Sequence, residues 1–234
     1  MNAITRAARE HDVGIALEPA LPDGSLVVQR MGAGQFKVEA FGRAAHVGRD
    51  FAHGVSAVYA LGEALVKLSG MSDAERGMIV NVGPLRGGPA TNIVPDDAAC
   101  WGNMRCADEA AAERLQRSIA ALATPDDALP RVAVDQIINR PSKPLTHAVR
   151  ELAEAARTVA QDLGQQLPFG KTGGVCDGNI MQAAGLPTID TLGVRGGNLH
   201  RTDEFIELAS LVERAQLLAV LLAHIARGDV HITA

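Results

Sequence analysis

The order of hydrophobic patterns between residues 34 and 137 limits the possible folds of this chain most strongly. Alternating or short apolar runs typical of strands occur at "QFKVEAF" (35–41), "GMIVNVGPL" (77–85), "AACWGNMRC" (98–106) and "RVAVDQI" (131–137). Apolar residues recur every three or four positions, as in helices, from His53 to Leu68 and again through 108–123. The order strand, helix, strand, strand, helix, strand predicts a ferredoxin-like antiparallel sheet with two helices on one face.

The sequence on both sides of this region predicts a different layer. "HDVGIALEP" (11–19) and "PTIDTLG" (187–193) are short apolar runs typical of buried strands. Helical spacing runs through 145–164, and a strongly apolar final helix extends from about Glu207 to Arg227. Helices that alternate with short strands indicate an α/β layer. We therefore predict an α/β fold in which 1–30 and 140–234 form a partial, discontinuous α/β domain, with an α+β domain of 31–139 inserted into it.

Composition excludes some partners. The chain of 234 residues has a net charge of −5 and no run of Lys or Arg, which argues against a surface that binds nucleic-acid phosphates. It has no uninterrupted apolar stretch of membrane-spanning length and no apolar export segment at its start, so we predict a soluble cytoplasmic protein without a membrane partner. Its three cysteines lack a CxxC spacing and fit a reducing compartment.

The segment "FGKTGGVCDGN" (169–179) is similar to the end of a phosphate-binding P-loop. A P-loop needs a glycine five residues before its Gly-Lys-Thr, but position 165 is Gln, and Pro168 removes a backbone donor. The spacing therefore argues against a nucleotide site, and the glycines need another explanation.

Five side chains are candidates for chemistry. His46 lies between glycines after a predicted strand, Asn92 lies in a Gly/Pro-rich connection, and Arg105 ends a predicted strand. Glu18 and His200 each follow a predicted strand of the flanking layer, where α/β sheets place their sites. Taken singly, each also fits an ordinary structural role, such as a solvated loop histidine, a turn asparagine or a surface ion pair.

The set of motifs, in this order, resembles one enzyme family. The motifs are "ALEP" (16–19), "GRAAHVGRDFAHGVSAV" (42–58), "VNVGPLRGGPATNIVPDDA" (80–98), "NMR" (103–105), "KTGGVCDGN" (171–179) and "GNLHRTDEFIEL" (197–208). They resemble the di-zinc amidohydrolases and exopeptidases, which include glutamate carboxypeptidase, acetylornithine deacetylase, succinyl-diaminopimelate desuccinylase and the aminoacylases. The resemblance runs from about Ala16 to the C-terminus and implies that the inserted domain is a ferredoxin-like dimerisation lid.

The resemblance implies a role for each candidate. It implies that Glu18 and His200 are zinc ligands in a site that holds two zinc ions, and that His46 reaches into the partner subunit's site to polarise the scissile carbonyl oxygen. It also implies that Asn92 and Arg105 hold the terminal carboxylate of an N-acyl amino acid or small peptide. Finally, it implies that the glycine loop lines the substrate pocket; its glycines are Gly173 and Gly174.

The chain departs from the family in its metal site. It contains no His-x-Asp motif and no Glu-Glu pair, which the family uses for further zinc ligands and the general base. Val175, Cys176 and Arg201 also stand where the family commonly has other residues. Since zinc needs three or four protein ligands, we expect the chain alone to bind zinc weakly or not at all and to be inactive.

Two interpretations remain open at this stage. The chain could be the C-terminal portion of an amide-hydrolysing enzyme that needs a missing N-terminal part or a companion chain. Alternatively, it could be a non-catalytic dimerising or small-molecule-binding protein derived from that family. In both cases we predict a homodimer through the lid, and further self-association through uncovered strand edges and apolar helix surface.

Overall fold

The structure is a computed structural model that describes residues 3–232, and the chain divides into two compact units. The flanking unit contains 3–31 and 141–232, and the inserted unit contains 32–140. The strands are β1 Gly14–Ala16, β2 Leu26–Arg30, β3 Gly32–Phe41, β4 Ala45–His46, β5 Met78–Gly87, β6 Ile93–Val94, β7 Asp97–Cys106, β8 Arg131–Arg140, β9 Phe169–Thr172, β10 Thr188–Asp190, β11 Gly196–Gly197 and β12 Phe205–Ile206. The helices are α1 Ala3–Ala8, α2 Ala57–Ser69, α3 Glu109–Ala120, α4 His147–Asp162, α5 Asp177–Ala183 and α6 Leu208–Ala226, with a short 3₁₀ helix at Phe51–His53.

The inserted unit has a four-stranded sheet in the order β5-β7-β3-β8, and all neighbouring strands are antiparallel. Helices α2 and α3 begin at side-chain caps, because Ser56 accepts from the N–H of Tyr59 and Asp108 accepts from the N–H of Ala111. Both helices pack on one face of the sheet, over a core that contains Phe36, Val38, Leu61, Leu68, Met104, Leu115 and Ile119. The ferredoxin-like prediction is confirmed.

The flanking unit has a mixed sheet in the order β1-β10-β2-β9. Strand β1 is parallel to β10, β10 is antiparallel to β2, and β2 is parallel to β9. Helix α4 packs against this sheet and α6 packs against α4, in a core of Leu26, Val28, Val149, Leu152, Ala156, Ile189, Leu217 and Leu221. The predicted α/β class of the flanking layer is therefore confirmed.

The last helix, α6, is less buried than its apolar composition would suggest. By length and composition alone it could cross a membrane, although such a test does not distinguish a membrane span from a helix of a folded core. Only 22% of its apolar window is buried. Its exposed apolar side chains are Leu208, Leu211, Val212 and Leu222.

Candidate functional site

A two-strand ladder in the inserted unit brings two of the predicted residues together. Strand β4 pairs with β6, with His46 opposite Ile93. The N–H of Val47 donates to the carbonyl of Asn92 at 3.1 Å, so His46 and Asn92 lie on adjacent backbone segments although 46 positions separate them. A cavity of about 600 Å³ beside the ladder is lined by residues of both segments, including Val47, Phe51, Tyr59, Pro89 and Ile93.

The imidazole of His46 is held in one orientation. Its Nδ1 accepts from the backbone N–H of Gly48 at 3.1 Å. A neutral imidazole that accepts at Nδ1 carries its proton on Nε2, which makes Nε2 the donor. Because the side chain is exposed, this donor can approach a carbonyl oxygen of another molecule.

Arg105 lies in β7 on the sheet face opposite the two helices, between Ala33 of β3 and Ile79 of β5. Its Nη1 is buried and has no hydrogen-bond partner within residues 3–232. A buried guanidinium nitrogen without an acceptor costs free energy unless a ligand or water satisfies it. Arg105 therefore offers a donor that a carboxylate could use.

In the flanking unit, Glu18 follows β1 at the end where the parallel strands β1 and β10 finish. Its backbone carbonyl accepts from the N–H of Gly193 at 3.0 Å. A Cβ at position 193 would come within 2.6 Å of the carbonyl oxygens of Leu17 and Glu18, so only glycine allows this close approach. The Glu18 side chain is half-buried.

His200 lies in the loop of a small hairpin formed by β11 and β12. It has a positive φ of 66°, and its N–H donates to the carboxylate of Glu204 at 3.2 Å. Asp203 and Glu204 lie in this loop, before the final helix. Asp203 pairs with Arg201, and α6 begins at Leu208.

The glycine loop, defined here as residues 173–176, connects β9 to α5. Gly170, Lys171 and Thr172 belong to the extended strand β9 and pair with β2, a conformation unlike the curled backbone of a P-loop. Neither Gly173 nor Gly174 has a positive φ. A Cβ at 173 or 174 would meet only ordinary contacts, at 3.6 Å and 3.5 Å respectively. Packing within the described chain therefore does not require either glycine.

Beside this loop lies a buried charge cluster that sequence reasoning missed. Asp190, at the end of β10, accepts from Arg30 Nε at 3.1 Å and from Arg30 Nη2 at 2.7 Å. Lys143 Nζ lies 3.3 Å from the other side of the same carboxylate, and the side chains of Asp190 and Lys143 are fully buried. A charge inside the apolar run "PTIDTLG" was the available signal, because buried charges need partners.

Burial is the main cause of the pKa shifts of Lys143 and Cys176 in this cluster. Burial lowers the pKa of Lys143, although the Asp190 carboxylate opposes the change. Burial also raises the pKa of the Cys176 thiol, with Asp190 adding to the effect and Arg30 opposing it.

The donors in this chain do not by themselves fit a zinc site. Within residues 3–232, no group of three or more His, Cys, Asp or Glu side chains is arranged to hold a metal ion. Glu18 and His200 are the two candidate ligands, whereas zinc sites in proteins use three or four. Any complete site would need donors from elsewhere.

Comparison with known proteins identifies a domain within the inserted unit. Residues 28–128 match the peptidase dimerisation domain of the M20 peptidases; the match includes β3, β5 and β7 of the inserted sheet and the ladder of His46 and Asn92, and it ends before β8. Residues 28–128 are thus similar to an M20 peptidase dimerisation domain. The family resemblance deduced from the motifs is confirmed, whereas the roles of the individual residues stay predictions.

Three known proteins are similar to most of this chain. Carboxypeptidase G2 of Pseudomonas sp. (strain RS-16) is 23% identical over 96% of this chain and 55% of its own length. Aminopeptidase PepT from Bacillus cereus ATCC 10987 has a TM-score of 0.76 at 23% identity, over 96% of this chain and 62% of PepT. The YXEP protein of Bacillus subtilis, described as a dinuclear metal binding peptidase from the M20 family, has a TM-score of 0.67 at 18% identity, over 91% of this chain and 56% of YXEP. The chain thus spans less than two thirds of each relative.

Proposed function

We propose that this chain is the C-terminal part of a metal-dependent hydrolase of amide bonds in N-acyl amino acids or small peptides. In this proposal it supplies the lid, the groups that position the substrate and two metal ligands, Glu18 and His200. The observation that carries the proposal is the β4–β6 ladder, which joins His46 to the segment of Asn92 inside a peptidase dimerisation domain.

The proposed roles follow from the donors of each side chain. Arg105 has an unsatisfied guanidinium nitrogen and would bind the substrate carboxylate. Asn92 lies with His46 near the other end of the sheet, so its amide would join the same carboxylate from a second subunit. His46 would donate from Nε2 to the carbonyl oxygen as negative charge develops on it, which stabilises a transition state more than a ground state. Gly173 and Gly174 would let a substrate approach the backbone closely.

We propose that the remaining metal ligands and the general base come from polypeptide outside this sequence. Supporting this, the chain spans 55% of carboxypeptidase G2 and 62% of PepT. Only Glu18 and His200 are candidate ligands among the described residues. We further propose that the protein works in a reducing compartment such as the cytoplasm, since Cys100, Cys106 and Cys176 are all free thiols.

The inserted unit would form a homodimer. Strand β5 is an edge of its sheet, and Ile79 and Leu85 on it are exposed. Helix α2, which packs beside β5, exposes Tyr59 and Val66, each with 74% of its surface accessible. An open strand edge beside exposed apolar side chains is typical of an interface.

A non-catalytic dimerising or small-molecule-binding protein is the second candidate. The observation that favours it is the lack, within residues 3–232, of any three-donor metal group. The two candidates differ in what happens when the rest of a catalytic domain is supplied.

The test is a hybrid enzyme in which the part of carboxypeptidase G2 not covered by this chain is fused ahead of it. N-acyl amino acids and dipeptides would be assayed beside their C-terminal amides. We expect metal-dependent hydrolysis that prefers the free carboxylate, and a loss of about 100-fold or more in kcat in His46→Ala. His53→Ala, an exposed histidine in the same segment, is the matched control and should keep activity.

Activity that does not depend on His46 would contradict the proposed role of the lid. A folded hybrid that binds two zinc ions and hydrolyses nothing would favour the non-catalytic candidate.

A further inference from the structure

We propose that Asn179 is a positioning residue that fixes the glycine loop to both segments through which the chain enters and leaves the inserted unit. These connecting segments are 30–31 and 141–143, at the boundaries of the two units. A displacement of either segment is then transmitted to the loop. The proposal rests on the proposed function only in treating the loop as part of a substrate pocket.

The Asn179 side chain is fully buried, and all of its hydrogen-bonding groups are used. Its Oδ1 accepts from the N–H of Cys176, in the loop, at 3.0 Å. Its Nδ2 donates to the carbonyl of Met31 at 3.1 Å and to the carbonyl of Pro141 at 2.8 Å. The opposite amide orientation would point an oxygen at two carbonyls, so the partners determine the orientation.

The first connecting segment makes two further contacts with the loop region. The N–H of Met31 donates to the carbonyl of Thr172 at 3.2 Å. Nη1 of Arg30 donates to the carbonyl of Gly174 at 3.2 Å. The loop is therefore held at its start, its middle and its end by Asn179 or by segment 30–31.

The two connecting segments are also joined to each other. Arg30 and Lys143 exchange backbone hydrogen bonds in both directions, each at 2.9 Å. Their side chains share the carboxylate of Asp190. The segments therefore move together, and the loop moves with them.

The loop has little packing of its own that could hold it instead. Gly173 and Gly174 are exposed, and they contribute no side chains to a core. Segments with few buried contacts open at low free energy unless hydrogen bonds hold them. The contacts with Asn179 and Arg30 therefore restrain the loop together with the buried side chain of Cys176.

Hydrogen–deuterium exchange of the 234-residue chain tests this in the absence of substrate or metal. In Asn179→Ala we expect exchange about tenfold faster or more, both in a peptide covering 172–178 and in the amides of Arg30, Met31 and Lys143. Peptides from α3 and α4 should keep their wild-type rates. Gln182→Ala is the matched control, because Gln182 lies on the same helix and bonds to the carbonyl of Pro144, outside both connecting segments.

Faster exchange in the loop alone would overturn the proposal, since Asn179 would then only cap α5. Equal acceleration of all peptides would also overturn it, since the effect would be one of global stability. If Asn179→Ala does not fold, Arg30→Lys retains a cation for Asp190 but removes the fork that reaches Gly174, and unchanged loop exchange in that variant would count against the proposal.

The hybrid enzyme gives a second readout. We expect Asn179→Ala to raise KM for a carboxylate substrate more than it lowers kcat, whereas Gln182→Ala changes neither. An inactive hybrid would contradict the proposed function. It would not affect the exchange experiment, which tests the role of Asn179 on the chain alone.

Discussion

Arg30 and Asp190 form a buried two-point ion pair, with Nε and Nη2 of the guanidinium 3.1 Å and 2.7 Å from one carboxylate oxygen. The pair joins the end of β2 to the end of β10, and Arg30 also reaches the glycine loop. Buried pairs contribute less to net stability than their geometry suggests, but the loss of one partner leaves a charge without compensation. The pair therefore makes the fold of the flanking unit sensitive to single substitutions.

Removal of Arg30 should be costly. We expect Arg30→Met to lower the free energy of unfolding by about 3 kcal/mol, at the low end for a broken buried pair because Lys143 still faces Asp190. Urea unfolding measures the change. Arg76→Met, which breaks an exposed pair with Asp73, should cost less than about 1 kcal/mol. Equal losses of unfolding free energy in the two variants would show that the buried pair stabilises the fold no more than the exposed pair does.

Lys143 should make stability depend on pH. Its pKa in the folded chain is lowered from 10.5 by burial, in surroundings that include Asp190, Cys176 and Arg30. Between the lowered pKa and 10.5 the unfolded chain binds more protons, so stability rises with pH. The stability of the wild type minus that of Lys143→Met should therefore increase as the pH rises from the lowered pKa towards 10.5, with a slope of at most about 1.4 kcal/mol per pH unit. If this stability difference instead falls as the pH rises, the pKa of Lys143 is not lowered in the folded chain.

Two glycines of the inserted unit should respond oppositely to substitution. A Cβ at Gly102 would lie 2.0 Å from the ring of Phe36, whereas a Cβ at Gly62 in α2 meets nothing within 4 Å. Gly102→Ala should destabilise the unit by about 1–3 kcal/mol through overpacking. Gly62→Ala should stabilise it by up to about 1 kcal/mol through helix propensity. Thermal unfolding measures both, and a neutral Gly102→Ala would contradict the close contact with Phe36.

The homodimer should depend on the exposed apolar side chains of α2, Tyr59 and Val66. We expect the wild-type chain to be a dimer by light scattering after size-exclusion chromatography. Val66→Glu should weaken the dimer about tenfold or more, because it puts a charge into an apolar contact. Lys67→Glu introduces the same side chain at the next position and is the control. A monomeric wild type, or equal effects of the two variants, would argue against this interface.

Periodicity predicts the inserted unit well because its strands are long and one of their faces is buried. Strand β3, for example, covers Gly32–Phe41 and alternates between buried and more exposed residues from Gly34 to Phe41. The ladder between β4 and β6 has two residues on each strand, too few for any period. The proximity of His46 and Asn92 therefore required the structure.

The flanking unit was harder to predict, since its strands are short and one of them, β9, lies in a glycine-rich segment. Strand β9 lies at the start of the glycine-rich segment 169–179, whose composition is typical of a loop, and β10 has only three residues. The charged residues Arg30, Lys143 and Asp190 come from three distant segments. Only tertiary structure joins them, although an acid in a buried apolar run signals that partners must exist.

The roles of Glu18 and His200 rest on the family resemblance, and zinc binding by the purified chain tests them most directly. Equilibrium dialysis would compare the wild type with Glu18→Gln, His200→Ala and the control His147→Ala. We expect weak zinc binding that decreases in the first two variants and stays unchanged in the control. Tight binding of two zinc ions would contradict the count of two ligands, and binding unaffected by Glu18→Gln and His200→Ala would contradict their assignment.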